Sequence, residues 1–186
     1  MPGVVVIDGR SGSGKSTLAE RLARASGAQI LHLDELYPGW DGLAEGSRTV
    51  ARALESGGYR RYDWGRGAFA ERIALDPARP LVIEGCGALT RENLAAARRW
   101  ARSGAAGGAN GADGAGAAWG RDASADRPAR IRSIWMECSD ELRRLRALDR
   151  DGEMFLPHWD RWAAQEELHL RANHPLALAA EIVHAD

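Results

Sequence analysis

The chain has 186 residues, with 25 basic and 26 acidic side chains and a formal charge of −1. That length suits one domain with a sizeable core, and the near-neutral balance excludes a global attraction to nucleic acid or to an anionic membrane. The two cysteines, Cys86 and Cys138, lie in separate apolar runs without C-x-x-C spacing, which argues against a disulfide framework and against a zinc site.

The first predicted element is a strand over Val4–Ile7, and a helical pattern runs from Ser16 to Ala25. Between them lies Gly9-Arg10-Ser11-Gly12-Ser13-Gly14-Lys15-Ser16-Thr17, a G-x₄-G-K-S motif in the strand-before, helix-after context it requires. The glycines permit positive φ, so that successive N–H groups turn inward around an anion, and the helix adds the positive end of its dipole. This is a phosphate-binding loop, or P-loop, suited to ATP with Mg²⁺. Lys15 would reach the β- and γ-phosphates and the Ser16 hydroxyl would ligate the metal, with Gly9, Ser11, Gly12, Ser13, Gly14 and Thr17 completing the nucleotide-binding set. Lys15 is the only lysine; every other basic residue is arginine. An ammonium is a compact point charge where a guanidinium fork would be too bulky. A single lysine, placed here, also rules out the Asn-Lys-x-Asp element of GTPases.

Further strands are predicted at Ile30–Leu33, Leu81–Ile83, Ile131–Met136 and Ile182–His184. They alternate with helical patterns at Leu43–Glu55, Arg91–Ala101, Asp140–Leu148 and Trp159–Ala172. Continuously apolar strands between amphipathic helices predict a five-stranded parallel sheet covered on both faces, a three-layer α/β/α fold. Ligands in such folds bind beyond the carboxyl ends of the strands. Asp34 falls at such an end. It reads either as half of an Asp-Glu metal site of the ATPase kind or as a carboxylate facing the γ-phosphate from the acceptor side, able to take a hydroxyl proton. A helix N-cap is the structural alternative. Residues 102–128 are rich in Gly and Ala and predict a disordered surface insert within a single domain spanning 1–186.

Arg143, Arg146 and Arg150 stand at i, i+3 and i+7, which predicts one cationic helix face placed to clamp phosphate just before a mobile lid at 149–160. Trp159 and Trp162 share a helix face and serve either as packing residues or as flanks for a planar substrate. The apolar N-terminal run is too short for a signal peptide and no run reaches membrane-spanning length, so a cytoplasmic protein is expected, without membrane or nucleic-acid partners and as a monomer or homodimer.

Five motifs follow one another in a familiar order: Gly9 to Thr17, Asp34-Glu35-Leu36-Tyr37, Tyr62-Asp63-Trp64, Val82-Ile83-Glu84-Gly85, and Arg143 to Arg150-Asp151. In this the chain resembles the uridine kinase and phosphoribulokinase branch of the P-loop kinases, across nearly its whole length outside the insert. The resemblance implies transfer of the γ-phosphoryl group of Mg·ATP to a hydroxyl of a small-molecule acceptor such as a nucleoside. It implies Asp34 as catalytic base, Lys15, Arg146 and Arg150 as charge stabilisers, and Arg143 on the nucleotide. Tyr37, Tyr62, Asp63 and Trp64 would contact the acceptor, and Glu84 would stand near the metal with Ser16. The chain departs from that branch after Trp64, where Gly65-Arg66-Gly67-Ala68-Phe69 replaces the family's His and Arg. The other class of function open to these motifs is an NTP-binding regulatory or accessory protein with weak ATPase activity; Asp34, Asp63 and the arginines favour the kinase.

Overall fold

The computed structural model describes residues 3–107 and 131–185. The strands are β1 (Val4–Gly9), β2 (Gln29–His32), β3 (Gly58–Asp63), β4 (Ala68–Ala74), β5 (Leu81–Glu84), β6 (Ile131–Glu137) and β7 (Glu181–His184). The helices are α1 (Lys15–Ser26), α2 (Leu43–Ser56), α3 (Arg91–Gly107), α4 (Asp140–Phe155), α5 (Trp159–Asn173) and α6 (Pro175–Leu178), with 3₁₀ turns at Leu33–Glu35 and Leu156–His158. None of these helices is long and apolar enough to cross a membrane.

Five strands form one parallel sheet in the order β2-β5-β1-β6-β7. β1 is central because it is apolar on both sides. Val4 and Val6 pack with Leu31, Leu81 and Ile83 under the layer that holds α2 and α3, while Ile7 packs with Val82, Ile134 and Ala19 of α1 on the opposite face. Alternate residues of a strand point to opposite faces, so a continuous apolar run serves two cores at once. Full burial of each such side chain contributes about 1.5–3 kcal/mol. The three-layer α/β/α architecture expected from the alternation is thus the one the chain adopts.

Three local features differ from expectation. β3 and β4 pair as a separate antiparallel hairpin, hidden in the sequence because Arg60 and Arg61 interrupt its apolar side. α3 continues through Gly107, so residues 102–107 of the expected insert are helical, while 108–128 lie outside the described residues. α4 runs to Phe155 and bends at Gly152 (φ 52°, ψ −132°), so the segment expected as a lid, 149–160, is the kinked end of α4, a 3₁₀ turn and the start of α5.

The carboxyl end of β1 is tied by a buried acid that the sequence reading did not single out. Asp8 Oδ1 accepts the N–H groups of Gly9 (2.7 Å) and Gly87 (3.0 Å), and Oδ2 accepts Leu89 N–H (2.8 Å) and faces His169 Nε2 at 3.0 Å. Asp8→Ala would strand those three donors and the histidine away from water. We expect a loss of about 3–5 kcal/mol and a melting temperature lower by roughly 10 °C in thermal unfolding; a shift below about 2 °C would show that these donors find other partners.

Candidate nucleotide and acceptor site

Gly12 and Gly14 hold φ of +80° and +89°, a region open to glycine. A Cβ on Gly12 would also fall on the Arg143 carbonyl oxygen, so the loop presses against the start of α4 too closely for any side chain. No side chain caps α1 and its first turn carries no acid, so its leading N–H groups face the loop and suit an anion. Ser13 is buried, with a hydroxyl that has no partner among the described residues, and Thr17 lies on the exposed side of α1. Ser11 Oγ sits 3.5 Å from Cys86 Sγ.

Lys15 is buried, and its Nζ donates to the Arg10 carbonyl at 2.9 Å. Burial alone would lower its pKa, but Cys86, Glu84, Glu166 and Asp34 outweigh it and hold the ammonium above its usual value. Burial pushes the Cys86 thiol up to about 12, so near neutral pH the three carboxylates supply that support. Ser16 Oγ lies 3.3 Å from both oxygens of Glu84, which in turn meets His32 Nδ1 at 2.6 Å. That hydrogen bond raises the His32 pKa against the opposing effect of burial.

Among the described residues no three His, Cys, Asp or Glu side chains form a metal cage. Ser16 and Glu84 do present hard oxygens side by side at the loop. This donor set fits Mg²⁺, which takes one or two protein oxygens and completes its shell from phosphate and water.

Beside the loop lies a cavity of about 370 Å³. The 3₁₀ turn after β2 brings Asp34 to it, the bent end of α4 brings Arg150, Asp151 and Phe155, and α5 brings Trp162; Ser11 of the loop closes one side. Its walls are largely aromatic. Trp40 stacks on His158 (4.3 Å, 17°) and Phe155 (5.4 Å, 16°) and leans on Trp64 at 4.8 Å, whose Nε1 donates to the Asp34 carbonyl at 2.8 Å. Asp34 lines the cavity as a solvent-exposed residue, and the protein around it removes part of its hydration. That partial desolvation, and then Glu84, raise its pKa. Arg150 pairs through two nitrogens with Asp151 (2.9 and 2.6 Å), which raises its own pKa.

The structure gathers Lys15, Ser16, Glu84, Asp34, Trp64 and Arg150 around the loop and this cavity, and it separates others from them. Tyr37 contributes its ring to the wall, but its hydroxyl donates to the Cys86 carbonyl at 2.7 Å and is not free to bind an acceptor. Tyr62 packs behind Trp64 at 5.3 Å, outside the cavity lining. Asp63 closes the β3–β4 turn instead, accepting Arg66 N–H on Oδ1 (3.1 Å) and on its carbonyl. Glu35 accepts the Tyr59 hydroxyl, which turns it toward β3 and away from a metal site shared with Asp34.

The expected common arginine face is likewise divided. Arg143 is buried, with Nε on Asp140 (2.7 Å) and its guanidinium over the Trp159 ring, and Arg146 donates to the Ala185 carbonyl at 2.6 Å. Arg150 alone of the three lines the cavity. Spacing puts the three on one side of α4, but that side meets α5 at one level and the end of β7 at another, so each guanidinium finds its own partner. The tryptophan pair divides too: Trp159 lies under Arg143 while Trp162 walls the cavity. Trp40, Glu166 and His169 were not singled out from the sequence, because what each of them meets lies on a distant segment.

No family model and no curated protein matches the sequence. Two solved structures are similar to this one over essentially the whole chain. A sugar kinase from Janibacter sp. HTCC2649 is 16% identical with a TM-score of 0.54, covering 100% of this chain and 86% of its own. A gluconokinase from Sinorhizobium meliloti 1021 is 19% identical with a TM-score of 0.51, covering 99% of this chain and 83% of its own. At such identities the likeness is one of architecture: the chain has the three-layer α/β/α fold seen in these kinases.

Proposed function

We propose that the protein is an ATP-dependent small-molecule kinase, transferring the γ-phosphoryl group of Mg·ATP to a hydroxyl of an acceptor seated in the aromatic cavity. The observation that carries this reading is that Ser11 of the phosphate loop and the Asp34 carboxylate line one and the same cavity. A hydroxyl there would meet a proton acceptor on one side and the phosphate loop on the other. Lys15 and the N–H groups at the start of α1 would hold phosphate oxygens, and Ser16 with Glu84 would hold Mg²⁺. The metal, when bound, offsets phosphate charge. Asp34 takes the hydroxyl proton, and Arg150 adds a cation at the cavity rim. Little covalent work falls to the protein; positioning and charge neutralisation do most of it.

The cavity walls also bear on the acceptor. Trp40, Trp64 and Trp162 offer flat apolar surface, and the one arginine present is already paired with Asp151. This favours an acceptor with a planar body, the nucleoside class implied by the sequence resemblance, over a polyhydroxy acid.

Asp34→Asn keeps the size of the side chain and removes the proton acceptor. We expect Mg·ATP affinity by calorimetry to stay within about 3-fold and acceptor-dependent ADP release, found by screening nucleosides, vitamins and sugars against water, to fall roughly 10²- to 10⁴-fold. Loss of Mg·ATP binding in that variant would make Asp34 a metal ligand, unchanged transfer would remove Asp34 as the base, and a parent protein that releases no more ADP with any acceptor than with water would favour the regulatory reading.

The raised pKa of Asp34 sets the sign of the pH dependence. Activity requires the carboxylate, so kcat/KM should fall on acidification along a limb centred above the ordinary aspartate value of about 3.9. Asp34→Asn should lack that limb. Ser16→Ala should weaken nucleotide binding with Mg²⁺ more than without it, and equal losses would remove Ser16 from the metal site.

A further inference from the structure

α5 buries Trp162, Glu166 and His169, spaced i, i+4 and i+7 and so aligned on one face. Each meets a different part of the site. Trp162 walls the acceptor cavity, its ring 4.9 Å from that of Tyr37, and His169 meets Asp8 at the end of β1. Glu166, between them and 3% exposed, grips the phosphate loop: Oε1 accepts the Ser11 N–H at 2.7 Å and Oε2 accepts Arg10 Nε at 3.1 Å. One turn of the same helix also holds the cavity's edge, since Gln165 Nε2 donates to the Trp40 carbonyl at 2.7 Å.

A buried carboxylate is costly unless it is paired and hydrogen-bonded. Here the Ser11 N–H, Arg10 and the nearby Arg143, with Nη1 at 3.6 Å, offset that cost. Two accepting oxygens are required. Glutamine would turn an NH₂ group toward either the Ser11 N–H or the Arg10 guanidinium, donor against donor.

We propose that Glu166 is a positioning residue for phosphoryl transfer, locking the crest of the phosphate loop to the helix that walls the acceptor cavity. Donor and acceptor subsites are then held in register by one rigid element, and nucleotide binding at the loop is felt along α5. The proposal rests on the kinase reading. Misplacement by about 1 Å costs on the order of 10²-fold in rate, so a residue that touches neither substrate can still govern turnover.

Amide hydrogen exchange of the full chain, with and without Mg·AMP-PNP, tests this without turnover. In the parent protein, protection should extend from residues 9–17 of the loop to Trp162–His169 of α5. In Glu166→Gln, loop protection should persist while the α5 response is lost. With the best acceptor from a hydroxyl-compound panel, kcat should fall about 10²-fold while KM for ATP changes less than about 3-fold. Should Glu166→Gln not fold, Glu166→Asp keeps the charge but draws the carboxylate back from Ser11, with the same loss of α5 response expected. Protection confined to the loop in the parent, or an α5 response that survives in the variant, overturns the proposal. Absence of any Mg·AMP-PNP binding would instead overturn the kinase reading on which it rests.

Discussion

The site depends on how the carboxyl end of β1 is held. Asp8 takes three backbone N–H groups there and faces His169. This one carboxylate joins β1, the segment after β5 and α5 at the level where the phosphate loop begins. A P-loop can leave its own N–H groups turned toward an anion only if the chain on either side is anchored by other means. Asp8 supplies that anchor at the base of the loop and Glu166 at its crest.

The charge distribution follows from this frame. The chain places its one lysine where Glu84, Asp34 and Glu166 act on it, while guanidinium groups such as Arg150 and Arg61 pair with a nearby carboxylate, Asp151 and Glu71. A compact cation among carboxylates stays protonated despite burial. The same carboxylates act on one another: partial desolvation first, and then Glu84, raise the pKa of Asp34.

The cavity beside the loop is built by different means. Its shape comes from aromatic rings on three separate segments, Trp40 before α2, Trp64 after β3, and Phe155 with Trp162 at the junction of α4 and α5. The bend at Gly152 makes that junction possible by turning the end of α4 toward the cavity. Stacking of Trp40 between Phe155, His158 and Trp64 sets the wall by ring packing.

The sequence by itself determined the parts that rest on local rules. Gly12, Gly14, Lys15 and Ser16 specify a phosphate loop because positive φ, a compact cation and a hydroxyl are needed at those spacings, and alternating apolar runs and amphipathic helices specify a covered parallel sheet. Asp34 was legible as a strand-end carboxylate for the same reason, whereas Glu84 was singled out only through the family resemblance. Tertiary structure alone decided which side chains of a helix face meet which neighbour. The spacing of Arg143, Arg146 and Arg150 could not show that one would be buried against Asp140, another tied to the Ala185 carbonyl and the third left at the cavity. The spacing of Glu166 and His169 carried no signal of their partners until α5 was laid over the loop. Partners distant along the chain, 155 residues apart for Ser11 and Glu166, leave no periodic trace, because burial of a charge depends on what the rest of the fold places opposite it.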